Sequence, residues 1–80
     1  MKLYKLTQSS NNNYDTFDSL IVAANNEDEA RLIHPNGEDV KWGSRYSTWA
    51  YLPEDVKVTL IGEADSTILK GIVLSSFNAG

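Results

Sequence analysis

The chain of 80 residues is long enough for one small domain, and we expect residues 1–80 to fold as a unit. Its 41% apolar and 22% charged residues are typical of a folded protein. The absence of cysteine excludes disulfides and thiolate zinc sites. The net charge of −4 argues against direct binding to nucleic acid, which usually requires a basic surface.

The sequence also bears on where the protein acts. Small secreted domains usually depend on disulfides, which this chain cannot form. The N-terminal residues lack the apolar centre of a signal peptide, and no apolar run approaches the ~18 residues of a membrane span. We therefore expect a cytoplasmic protein that does not contact a membrane.

The first elements in chain order are two strands. Residues 3–7 are short and β-prone, and a second strand begins near Tyr14 and runs to about Ala24. The polar residues 8–13 between them are typical of a hairpin loop. Residues 20–24 are apolar on both faces, which predicts a central place in the sheet.

A short helix is predicted over residues 26–34. Asn25 or Asn26 can cap its first turn, where three acidic residues follow and suit the positive end of the helix dipole. Pro35 cannot continue a helix, so we expect the helix to end at His34. A helix of two to three turns is not stable alone and must pack against the sheet.

The second half of the chain predicts an ordered loop followed by two more strands. Residues 38–53 are the loop, residues 56–60 alternate between apolar and polar, and residues 71–77 form the last strand. The fold class is therefore α+β: an antiparallel sheet of about four strands in the order β-β-α-β-β, with the helix on one face. The expected core consists of Leu20, Val22, Ile33, Val58, Leu60, Val73 and Phe77, or their immediate strand neighbours.

No segment carries a recognisable catalytic or metal-binding pattern. The sequence from Asn11 to Val22 resembles a calcium loop in its first ligand positions, but it has Thr16 where glycine is needed and Val22 where a carboxylate is needed. His34 is the only histidine, and its place at the end of a helix suits the negative end of the dipole. We expect no enzymatic activity, no metal and no cofactor.

Two groups of residues are candidates for binding a partner. The acidic pairs, which include Glu54 and Asp55, either form a solvated surface or face a basic partner. The second group is aromatic and basic, types that are common at interface hot spots and that also stack on planar ligands. Large aromatic residues equally serve to fill a small core. The candidate partner-binding residues are Trp42, Arg45, Tyr46, Trp49, Tyr51, Glu54 and Asp55.

Four segments carry a resemblance to a known group of proteins. They are residues 14–19, residues 29–35, residues 58–64 and the ending at residues 76–80. Together they resemble a family of short, uncharacterised phage and prophage proteins. The resemblance implies a phage genome as the setting and implies no mechanism.

The setting leads to a functional hypothesis and two alternatives. Small acidic phage proteins often bind and block a host protein, so we expect an inhibitor of a host defence complex such as a CRISPR effector. The first alternative is a protein that sequesters a nucleotide signal, with basic side chains such as Arg45 beside the aromatic residues. The second is an accessory protein of virion assembly. The sequence leaves the partner and the oligomeric state open.

Overall fold

The computed structural model describes residues 1–12, 15–37, 41–43 and 47–78. Within them lie the strands β1 (Lys2–Thr7), β2 (Thr16–Ala24), β3 (Lys57–Glu63) and β4 (Gly71–Asn78), and the helix α1 (Glu27–Arg31). One turn of 3-10 helix, Pro53–Asp55, precedes β3. The predicted α+β class is confirmed: a four-stranded antiparallel sheet with a single short helix.

The four strands lie in the spatial order β3-β1-β2-β4, and every neighbouring pair is antiparallel. The hairpin of β1 and β2 therefore forms the centre of the sheet. The two later strands add to opposite edges of this hairpin, β3 beside β1 and β4 beside β2. This spatial order does not follow from the order of the strands along the chain.

Helix α1 starts as the sequence predicts but ends early. The Asn26 side chain accepts a hydrogen bond from the Glu29 N–H at 2.8 Å, and the Glu29 carboxylate accepts one from the Asn25 N–H at 3.1 Å. The first bond satisfies an N–H group that the first helical turn leaves free, and the second ties the residue before the cap to the helix. The last helical residue is Arg31, so the predicted extent of 26–34 is too long. The Ile33 N–H then bonds the Ala30 carbonyl at 3.1 Å, a tighter three-residue step that ends the helix before Pro35.

The core lies on one face of the sheet, under α1 and residues 47–56, the segment before β3. Cross-strand neighbours share a face, and Leu6 lies opposite both Leu20 and Val58 at the centre of this layer. On the other face, Lys5 lies opposite Thr59, and both are exposed. The buried cluster consists of Tyr4, Leu6, Leu20, Val22, Ala24, Ala30, Trp49, Ala50 and Val56.

The structure confirms part of the predicted core and contradicts the part on the outer strands. Leu20 and Val22 are buried, and Ile33 and Val58 pack against the cluster as half-buried residues. Leu60, Val73 and Phe77 are exposed, so these three predictions are wrong. All three lie on the outermost strands of the described sheet, where a second strand covers one side of the residue only.

Candidate functional site: an anchored surface before strand β3

The segment before β3 enters the core through its own side chains. Trp49 and Ala50 are completely buried, and Val56 is buried at the end of the segment. Trp42 is half-buried, packs against the same cluster, and meets the His34 ring edge-on with 5.0 Å between ring centroids. The complete burial of Trp49 favours a role in core packing over direct contact with a partner.

A buried asparagine fixes the backbone around Trp49. Asn11 is 2% exposed, and its side-chain amide donates hydrogen bonds to the carbonyls of Ser47 at 2.9 Å and Trp49 at 3.0 Å. The Asn11 N–H is in turn bonded to the Gln8 side chain at 2.9 Å. The Phe17 N–H donates to the Thr48 carbonyl at 2.7 Å, which ties the same segment to β2. The loop between β1 and β2 thus serves as an anchor.

A second anchor holds the far end of the segment. The Arg31 guanidinium on α1 donates hydrogen bonds to the carbonyls of Val56 and, at 3.5 Å, Pro53. Within the 3-10 turn, the Asp55 N–H donates to the Leu52 carbonyl at 3.0 Å. Backbone groups on both sides of the turn are therefore tied to the helix or to one another.

Between the two anchors the chain presents four exposed side chains. Tyr51 is 37% exposed, Leu52 is 53% exposed, and Glu54 and Asp55 are exposed beside them. We call Tyr51, Leu52, Glu54 and Asp55 the 51–55 surface. It combines an aromatic ring and an aliphatic side chain with two carboxylates on a backbone held by the core.

The predicted partner-binding residues fall into three groups. Tyr51, Glu54 and Asp55 lie together on the 51–55 surface, whereas Trp49 is in the core and Trp42 lies half-buried against it. Arg45 and Tyr46 lie outside the described residues. Sequence reasoning missed Leu52, which is an ordinary aliphatic residue, and Asn11, which is one of several polar residues in a loop.

A groove lies between the end of α1 and the start of β4. Its volume is about 580 Å³, and its walls include Leu32, Ile33 and Ile72. Lys70 and Glu29 also line it and form an ion pair at 3.8 Å. The groove has the size of a small-ligand cleft, with apolar walls and one neutralised cation.

His34 lies at the wall of this groove and is nearly fully buried. Its Nδ1 accepts a hydrogen bond from the Asn36 N–H at 3.1 Å, which fixes the proton of the neutral ring on Nε2. Nε2 is buried and has no hydrogen-bond partner among the described residues. Burial lowers the pKa of His34, so the ring is neutral at pH 7.

Neither a metal-binding cluster nor a membrane-spanning helix occurs in the part of the chain that the structure describes. No group of three or more histidine, aspartate or glutamate side chains there is placed to hold a metal ion. No helix there has the length and apolarity needed to cross a membrane.

Comparison with protein-family models, with curated proteins and with solved structures finds no match to this chain. The resemblance to phage and prophage proteins therefore stays a prediction from the sequence.

Proposed function

We propose that this protein acts without catalysis, by binding a host protein in the bacterial cytoplasm, and that it inhibits a defence complex such as a CRISPR effector. The observation that supports the binding step is the 51–55 surface, where Tyr51 and Leu52 are exposed beside Glu54 and Asp55. The phage setting and the type of target rest on the sequence resemblance.

The chemistry of this surface suits a partner with a basic rim. Tyrosine is enriched at binding hot spots because it buries a large area and still offers a hydroxyl for a hydrogen bond. Glu54 and Asp55 would steer a positively charged partner toward that ring and add specificity at the edge of the contact. Anchoring by Asn11 and Arg31 reduces the conformational freedom that binding would otherwise remove.

Neither alternative function gains support from a particular contact. A nucleotide-sequestering protein needs aromatic faces open to the ligand, and Trp49 is fully buried. Trp42 is half-buried, and the exposed Tyr51 ring lies beside Glu54 and Asp55, whose negative charges repel a phosphate. Arg45 and Tyr46 lie outside the described residues. The role in virion assembly stays a prediction without a structural observation in its favour.

The proposal is tested by capture from host lysate with two matched variants. In the first, Glu54→Lys and Asp55→Lys reverse the charges of the 51–55 surface. In the second, Asp18→Lys and Glu63→Lys reverse two exposed acids elsewhere, so the net charge changes equally. We expect the same host complex to be retained by the wild type and by the control, and to be lost with the first variant.

A functional readout then separates binding from inhibition. Host cells with an active CRISPR system are challenged with a targeted phage while they express each variant. The wild type and the control should restore plaque formation, and the Glu54→Lys, Asp55→Lys variant should not. Equal capture by all three proteins would contradict the proposed surface. Retention of a defence complex without any rescue of the phage would contradict inhibition.

A further inference from the structure

Strand β4 differs in charge from the rest of the sheet. Its eight residues, from Gly71 to Asn78, include no charged side chain, whereas each of the other three strands carries at least one. Four of its apolar side chains are exposed to solvent: Ile72, Val73, Leu74 and Phe77. An uncharged segment with this exposure is unusual on a chain whose net charge is −4.

One edge of β4 has no neighbour within the described part of the chain. The strand bonds β2 on its inner side and ends the sheet on its outer side. An open edge presents unpaired N–H and C=O groups, and proteins usually protect it with charges or proline. The opposite outer strand, β3, has Lys57 and Glu63 at its two ends, whereas β4 has neither charge nor proline.

We propose that β4 pairs with the β4 strand of a second copy of this chain. The row of free backbone groups specifies a β-strand as the occupant, because only an extended backbone matches their spacing. Two copies related by a two-fold axis bring identical strands together in antiparallel order, which is the order of every strand pair in this sheet. The edge is therefore complementary to itself.

The absence of charge on β4 makes this edge compatible with a second copy of an acidic chain. Two acidic chains repel each other where their charged surfaces meet, and like charges opposite each other destabilise a strand pair. A β4–β4 contact brings no charged side chain of the strand opposite another. A β3–β3 contact in the same order would place Lys57 of each copy opposite Glu63 of the other, so charge does not exclude it. The β4 edge is the favoured one because it lacks the charged residues that protect the β3 edge.

The resulting dimer would have one continuous eight-stranded sheet with β3 at both outer edges. The 51–55 surface leads into β3, at the opposite edge from β4, so both copies of that surface stay accessible. The surface buried by one strand pair with four exposed apolar side chains per copy is smaller than the ~1,200–2,000 Å² that a standard interface buries. We therefore expect a dissociation constant on the order of micromolar to tens of micromolar.

Sedimentation equilibrium of three proteins tests the proposal. Leu74→Lys places a charge on β4 at a side chain that is 65% exposed, and Ile61→Lys does the same on β3 at a side chain that is 49% exposed. The wild type should fit a monomer–dimer equilibrium. Leu74→Lys should weaken dimerisation by about tenfold or more, because the two-fold axis places both new charges at one interface. Ile61→Lys should leave the equilibrium unchanged.

Circular dichroism and urea unfolding of each variant show whether it is folded, and both substitutions are at exposed sites where folding should persist. Slower amide exchange along β4 with rising protein concentration would locate the contact independently. A wild type that stays monomeric up to about 1 mM, well above the expected dissociation constant, would overturn the proposal and leave the edge to a strand of another protein. Loss of the dimer in Ile61→Lys but not in Leu74→Lys, or assembly beyond the dimer, would overturn it equally.

Discussion

Two regions of this protein reverse the expectation that the more apolar segment is the more buried one. The segment before β3 is rich in hydroxyl and aromatic residues, yet Trp49 and Ala50 are fully buried. Strand β4 contains three consecutive aliphatic residues at 72–74, and all three are exposed. Apolar composition alone does not separate core from surface in a chain this small.

The difference comes from position in the sheet. Trp49 belongs to the same buried cluster as Tyr4 of β1 and Val22 of β2, the two central strands. Among the described residues, strand β4 has a neighbouring strand on one side only, and α1 packs over β1, β2 and β3. With 80 residues, one short helix and one loop cannot cover both outer strands.

The largest expected difference in stability between the two regions comes from truncating one aromatic residue in each. Trp49→Ala should lower the free energy of unfolding by ~3–5 kcal/mol, because it leaves a cavity among buried side chains. Phe77→Ala should cost about 1 kcal/mol, because the ring is half exposed and its described ring contact is Phe17, at 4.8 Å between centroids. Urea unfolding measures both. Equal losses would mean that the two regions do not differ in burial as described.

A smaller effect is expected at the polar anchor of the buried segment. Asn11→Ala should cost ~2–3 kcal/mol, because it removes the buried amide that bonds the carbonyls of Ser47 and Trp49. The Trp49 carbonyl keeps the Ser47 hydroxyl as a donor, at 3.0 Å. Asn12→Ala is the matched control, since Asn12 is the exposed neighbour in the same loop. This substitution should change the free energy of unfolding by no more than about 0.5 kcal/mol. Thermal unfolding of the pair measures the difference. If neither substitution changed the stability, Asn11 would be ruled out as an anchor.

The smallest expected effect concerns pH and the groove wall. Burial holds the pKa of His34 below the usual value of 6.5, so the unfolded chain binds a proton at a higher pH than the folded chain does. Stability should therefore fall as the pH drops below about 6.5, and the loss should continue down to the folded pKa. Protonation also removes the acceptor that Nδ1 offers to the Asn36 N–H.

The control for this effect is His34→Gln, which cannot titrate. Its stability should change less than that of the wild type between pH 7.5 and pH 5.5, where most carboxylates stay ionised. Urea unfolding at both values gives the comparison. A wild type and a variant with the same pH dependence would show that His34 does not titrate differently on folding.

Much of the local structure was predictable from the sequence. Asn26 and Pro35 bracket the helix, and the alternation at residues 56–60 marks β3. These signals act between near neighbours in the chain, so they can be identified without knowledge of the fold. The end of α1 at Arg31 was not predictable from them, since it depends on the three-residue step at Ile33.

The burial pattern was less predictable because it depends on distant contacts. Leu60 and Phe77 look like core residues until the strand order places them at the edges of the sheet. As a residue type, Trp49 suits an interface as well as a core, and its complete burial in the folded chain favours the core. Asn11 bonds carbonyls more than thirty residues away, and no local pattern marks such a partner.

The most direct test of this contrast is the fluorescence of Trp49 alone. In Trp42→Phe, Trp49 is the sole tryptophan, and the substitution keeps an aromatic ring at the half-buried position. Because Trp49 is fully buried among apolar side chains, its emission should be shifted to the blue and should resist quenching by iodide until the protein unfolds. Emission like that of free tryptophan in water, with full quenching of the folded protein, would contradict the placement of Trp49 in the core.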